Sequence, residues 1–157
     1  MDIESDKTVL GKLETVKHIQ LVRAHLCSMI EELDKRAREH DQSKLESPEK
    51  EIYGEWTPEL SKTKYGTAEY MALLEKVKPA LDHHYAKNRH HPQHWPDGIN
   101  DMTLIDLIEM ICDWKAATER VKDGNIRYSI DVNSKRFNMS SQLTKIFENT
   151  VREMFTE

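Results

Sequence analysis

The chain has 157 residues, the size of one domain able to bury a core of its own. Hydrophobic residues make up 38% and charged residues 32%, a more polar balance than the roughly 45–50% and 25% of an ordinary domain, and no window approaches the run of about 20 apolar residues that a spanning helix needs. With 23 basic against 28 acidic residues the net charge is −5, so sequence-independent binding to nucleic-acid phosphates is not expected. The acidic start Met1-Asp2-Ile3-Glu4 lacks the basic-then-apolar order of a secretory signal, so the chain is expected to stay in the cytosol, away from membranes.

Scarce glycine and proline and the absence of sustained alternation predict an all-α fold of about five or more helices, in a single domain over residues 1–157. From Val9 to Leu33 apolar residues advance by three or four, which predicts one amphipathic helix. Cys27 lies in this pattern and Cys112 in a later one, so both are read as reduced core thiols. Ser47-Pro48-Glu49 reads as a helix start, while Gly54 and Pro58 restrict the chain from there to Thr67 to short helical pieces in an irregular connection. A helix from Thr67 carries Met71, Leu74, Val77 and Leu81, with Pro79 inside it. Asn88 to Met102 contains Pro92, Pro96 and Gly98 and reads as loop. Thr103 to Asp106 forms a capping box opening an apolar helix to about Val121. After the Asp123-Gly124 turn, Ser140 or Ser141 caps a last amphipathic helix.

Histidine is the anomaly: eight in all, five of them between His83 and His94. A solvated face rarely prefers imidazole to lysine or glutamate, whereas neutral imidazole is the commonest metal ligand. His40-Asp41-Gln42-Ser43-Lys44 offers an imidazole and a carboxylate from one turn, with an ammonium three residues on. Asp106, Glu109 and Asp113 stand at i, i+3 and i+7 on the apolar helix, and buried carboxylates must meet either a metal or a cluster of Arg and Lys. His18 and His25 share a face of the first helix, and Glu14 lies one turn before His18. Tyr53, Trp56, Tyr65 and Trp95 are candidates to stack a base or to anchor loops. There is no Walker loop, dinucleotide fingerprint or nucleophile elbow.

The order of a helical His, a His-Asp followed by Lys, a double His and a late Asp resembles the HD-domain metal-dependent phosphohydrolases. His40 to Lys44 is similar to the HDxGK element of one branch, with Ser43 in place of Gly; His83-His84 with Asn88 and Pro92 matches the next element only loosely. A closer resemblance, over His40–Lys44, His84–Trp95 and Asp106–Ala117, is to a small uncharacterised family of phage and bacterial HD-like proteins. The resemblance implies an HD-like helical bundle that hydrolyses a phosphate ester, with a nucleotide-type small molecule as the expected substrate. It implies His18, His40, Asp41, His84 and Asp113 around one or two divalent transition-metal ions (Mn, Fe, Co, Ni or Zn). Lys44 is then expected to stabilise developing charge and Glu109 to accept a proton from the attacking water, with His83, Asn88, His90 and His91 holding substrate or a second ion. The rival expectation is a non-catalytic, metal-stabilised HD-like protein that acts on a protein partner, such as a phage accessory factor.

Overall fold

The computed structural model describes residues 3–63 and 67–155. It is all-α: α1 Ile3–Glu39, α2 Glu49–Lys62, α3 Ala68–Lys87, α4 Leu104–Glu119, α5 Ile126–Arg136 and α6 Ser141–Met154, with short 3-10 turns at Gln42–Leu45, Pro92–His94 and Gly98–Asp101. No helix among the described residues is long and apolar enough to cross a membrane. Where composition predicts one domain, the chain divides into two compact units, Met1–Arg38 and Glu39–Glu157.

The first unit is the long helix α1, which extends the predicted element at both ends. Within its own unit it has no second element against which to bury its apolar stripe. Cys27, read as a core thiol, is exposed within this unit.

In the second unit, side-chain caps define where helices start. Thr67 accepts from the amide of Tyr70 to open α3. Thr103 and Asp106 form the full capping box of α4, Asn125 accepts from Tyr128 to open α5, and Ser140 accepts from Leu143 to open α6; such caps satisfy main-chain N–H groups that otherwise lack partners. The core is built from α4, α5 and α6: Met110, Ile111, Ile126, Ile130, Phe147 and Val151 are buried together. Trp114 joins them edge-on to Phe147, ring centroids 5.9 Å apart.

Two expectations fail here. The stretch after Pro48 is a 14-residue helix, with Gly54 and Pro58 inside it. Pro58 removes one main-chain donor, but α2 packs along α3, and tertiary packing outweighs local propensity. Helix α5 has no counterpart in the sequence reading, because its interior contact rests on Ile126 and Ile130 alone, too few to make a readable stripe. Cys112 is also exposed; it stands on the outer side of a helix whose inner side holds Met110 and Ile111. The turn before α5 depends on Gly124, since a Cβ there would stand 1.8 Å from the carbonyl oxygen of Thr118. That close approach explains a glycine in this turn.

Candidate metal centre

The centre begins where the backbone is least relaxed. Asp41 has φ 56°, in the left-handed region, and opens the 3-10 turn Gln42–Leu45. A non-glycine residue held there carries strain of the kind that gathers at functional sites. The turn swings the Asp41 carboxylate inward between His40 and Lys44. Its Oδ2 accepts from Lys44 Nζ at 2.5 Å, and its Oδ1 faces His84 Nε2 at 3.3 Å and His90 Nε2 at 3.6 Å.

Helix α3 brings His83 and His84 through its last turn, and the chain then leaves the helix at Asn88. That exit turns His90 and His91 back toward His84. His84 and His90 are buried. His84 Nε2 and His91 Nε2 lie 2.9 Å apart. Helix α4 supplies Glu109 and Asp113; Asp113 Oδ1 stands 3.7 Å from His40 Nε2.

Two carboxylates, one buried and one half-buried, set the ring orientations. Glu109 Oε1 lies 2.9 Å from His40 Nδ1 and 3.1 Å from His90 Nδ1. Glu49, fully buried at the start of α2, lies 2.7 Å from His83 Nδ1 and 2.8 Å from His84 Nδ1. A carboxylate accepting from Nδ1–H fixes the tautomer with its lone pair on Nε2, the arrangement found behind metal-ligating histidines. The Nε2 atoms of His40, His84 and His90 accordingly all face Asp41. Asn88 donates to Ser43 Oγ at 2.8 Å and ties this exit loop to the 3-10 turn.

Hydrogen bonding to Asp113 and then Glu109, against an opposing desolvation, raises His40 to about 10. Burial lowers His84, and it takes His91 down to about 3 with help from the neighbouring imidazoles. Burial alone would push the Asp41 and Asp113 carboxyls up; Lys44 beside the first and His40 beside the second hold them below the usual range. Burial raises the Tyr53 phenol, which stays protonated.

Two groups of ligand atoms could each hold a metal ion: Asp41, His84, His90 and His91, and His40, Asp41, His90 and Asp113, each set lying within 4.8 Å of one another. They share Asp41 and His90. The chemistry of the donors suits a cation, and one further observation points the same way. Asp41 Oδ1 and His90 Nε2, the two shared side chains, are buried and make no hydrogen bond. A buried acceptor left unsatisfied is costly, and a cation between them removes the cost.

Of the expected ligands, His40, Asp41, His84 and Asp113 are brought together, and His90 and His91, expected to hold substrate or a second ion, stand among them. His18 lies on α1, in the other unit, and is a member of neither group; the imidazoles of the two groups are His40, His84, His90 and His91. His83 faces Glu49 rather than the ligand set. Asp106 pairs with Arg89 at 3.2 Å and closes the α4 cap, while Asp113 stands in a group that could hold a metal ion. Sequence reasoning missed Glu49, whose only signal is a glutamate after a proline.

A cavity of about 420 Å³ opens against His84 and His91, walled further by Lys44, Tyr53, Tyr85 and Arg120. Of the aromatic residues singled out, Tyr53 lines it. Trp56 carries the Lys76 ammonium 3.9 Å from its ring centroid, Trp95 carries the Arg89 guanidinium at 4.4 Å, and Tyr65 lies outside the described residues.

Fold and centre together define an all-helical protein with a partly buried imidazole and carboxylate cluster that could hold a metal ion. Residues 10–155 match the family of unknown function DUF5662, and the chain belongs to that family. No curated protein and no solved structure matches it.

Proposed function

We propose that the protein is a metal-dependent phosphohydrolase of HD-like type that acts on a small phosphate ester. The observation carrying this reading is the convergence of four imidazoles and two carboxylates on a point where Asp41 Oδ1 and His90 Nε2 are buried without hydrogen bonds. A mixed nitrogen and oxygen donor set suits Mn, Fe, Co, Ni or Zn better than Ca. His40, Asp41, His90 and Asp113 would hold one ion, and His84 and His91 with the shared pair would hold a second. Bound there, such an ion polarises a phosphoryl oxygen and lowers the pKa of water.

The chain's own residues supply the remainder. Glu49 and Glu109 fix the imidazole tautomers. Because Glu109 Oε1 faces the Nδ1 atoms of both His40 and His90, we give it this orienting role in place of the proton-accepting role suggested by its spacing. Lys44, on the cavity wall beside His84 and His91, stabilises charge developing on the phosphoryl group. Asn88 and Ser43 hold the 3-10 turn in register with the α3 exit. The test is metal analysis of the purified protein together with a panel of phosphomonoesters and phosphodiesters. The reading requires one to two transition-metal ions per chain and hydrolysis that a chelator abolishes; a metal-free, inert protein would end it.

A further inference from the structure

The cavity beside the centre has a composition unlike the rest of the chain. Its wall is formed by aromatic and aliphatic surface from Tyr53, Tyr85 and Leu81, two imidazoles, Lys44 and Arg120, with Thr57 completing it, and no acidic residue lines it. In a chain with 28 acidic residues and a net charge of −5, a cavity with two cations and no carboxylate is a site for an anion. Its size falls within the roughly 300–1,000 Å³ of pockets for small organic ligands, and its mainly apolar lining with a few placed polar groups is typical of them.

The two cations are not equivalent. Lys44 donates to Asp41 at 2.5 Å, so one of its three N–H donors is already engaged within the centre. Arg120 follows the last residue of α4, where its backbone N–H closes the helix on Ala117 and Thr118. Lys115, lower on α4, pairs with Glu119 at 2.9 Å. Among the described residues no carboxylate is paired with the Arg120 guanidinium. It is therefore the uncompensated charge of the cavity, placed on a wall that also holds the inner imidazoles.

We infer that this cavity receives the organic part of the substrate, a planar or apolar group bearing a second anionic function, and that Arg120 determines specificity by binding that second anion. This deepens the proposed function and rests on it for the direction in which the phosphate points. The ester phosphate lies toward His84, His91 and Lys44; the organic group lies along Tyr53, Leu81 and Tyr85; and a carboxylate or second phosphate reaches Arg120, whose planar fork suits both.

The experiment compares phenyl phosphate with 4-carboxyphenyl phosphate, which adds one carboxylate to the same ring. Binding is followed by calorimetry in wild type, Arg120→Gln and Arg120→Lys, each with metal and after chelation. Wild type should bind the carboxylated ester about tenfold more tightly, Arg120→Gln should bind both equally with phenyl phosphate unchanged, and Arg120→Lys should recover part of the preference. Equal binding in wild type, failure to bind either ester, or a preference that survives Arg120→Gln would overturn the inference. Metal content is read separately: a protein that takes up no metal fails the catalytic reading, while the preference in the chelated protein still decides the role of Arg120.

Discussion

The two ends of the acidic stripe on α4 meet the same difficulty, a carboxylate removed from water, in opposite ways. At the N-terminal end Asp106 is saturated: it receives Arg89, the Thr103 hydroxyl at 2.7 Å and the Thr103 amide at 2.9 Å. One to two turns on, Glu109 and Asp113 face imidazoles, and the neighbouring Asp41 Oδ1 and His90 Nε2 are left without hydrogen bonds. The first arrangement is complete as it stands and serves the fold. The second leaves two buried polar atoms without a partner, at a place that could hold a metal ion. Burial of a carboxylate therefore does not separate structure from function here, whereas saturation of its partners does.

Removing the shared ligand breaks the comparison most severely. Asp41→Asn should reduce bound metal to background in both groups and lower hydrolysis by at least about 10³-fold, since both proposed subsites pass through this carboxylate. Metal analysis and turnover on the same preparation check it. Metal retained at the wild-type level would place the ions elsewhere. Lys44→Ala comes next, with metal content kept and turnover down by on the order of 10²-fold, as expected when one preorganised charge is withdrawn.

The saturated end should respond in stability rather than in metal. Asp106→Ala removes a buried cap and leaves Arg89, half-exposed, to water, so a loss of about 2–3 kcal/mol in unfolding free energy is expected with metal stoichiometry unchanged. Chemical denaturation and metal analysis together make the test. If Asp106→Ala lost metal as Asp41→Asn does, the two ends of the stripe would form one network and the distinction between them would fail.

The elements most visible in the sequence are those whose signals are local. The long stripe of α1, the Thr103 box and the Ser140 cap are each written within a few residues, and each is found where the pattern puts it. The imidazoles of the two candidate groups were legible because histidine is rare enough to be conspicuous. The illegible part is set by contacts across the fold. Glu49 reaches His83 and His84 over 34 and 35 residues, and nothing near it in the chain distinguishes it from other glutamates. The stripe of α4 could be read as acidic but not as divided, because Arg89 and His90 approach it from one loop and His40 from another segment, and only folding decides which carboxylate each meets. Helix α2 was hidden by the opposite error, since Gly54 and Pro58 are strong local breakers overruled by packing on α3.

The smallest effect separates the two ends by pH. In metal-free protein His40 is raised from an ordinary 6.5 to about 10, first by Asp113 and then by Glu109. A group whose folded-state pKa lies above its unfolded value stabilises the fold fully below the unfolded pKa and loses that contribution as pH rises through the folded one. The melting temperature of chelated protein should therefore fall gradually between about pH 6.5 and pH 10. Asp41 and Asp113 are shifted downward, so their contribution is present above the ordinary carboxylate range and is lost on acidification instead. Metal binding reverses the upper slope, because ligation needs neutral imidazole and an ion must displace the His40 proton, so affinity strengthens as pH rises. Melting curves of chelated and metal-loaded protein across this range check both signs. Asp113→Asn should flatten the slope of the chelated protein by removing the largest contact that raises His40, whereas Asp106→Ala, on the same helix but facing Arg89, should shift the whole curve down and leave its slope intact.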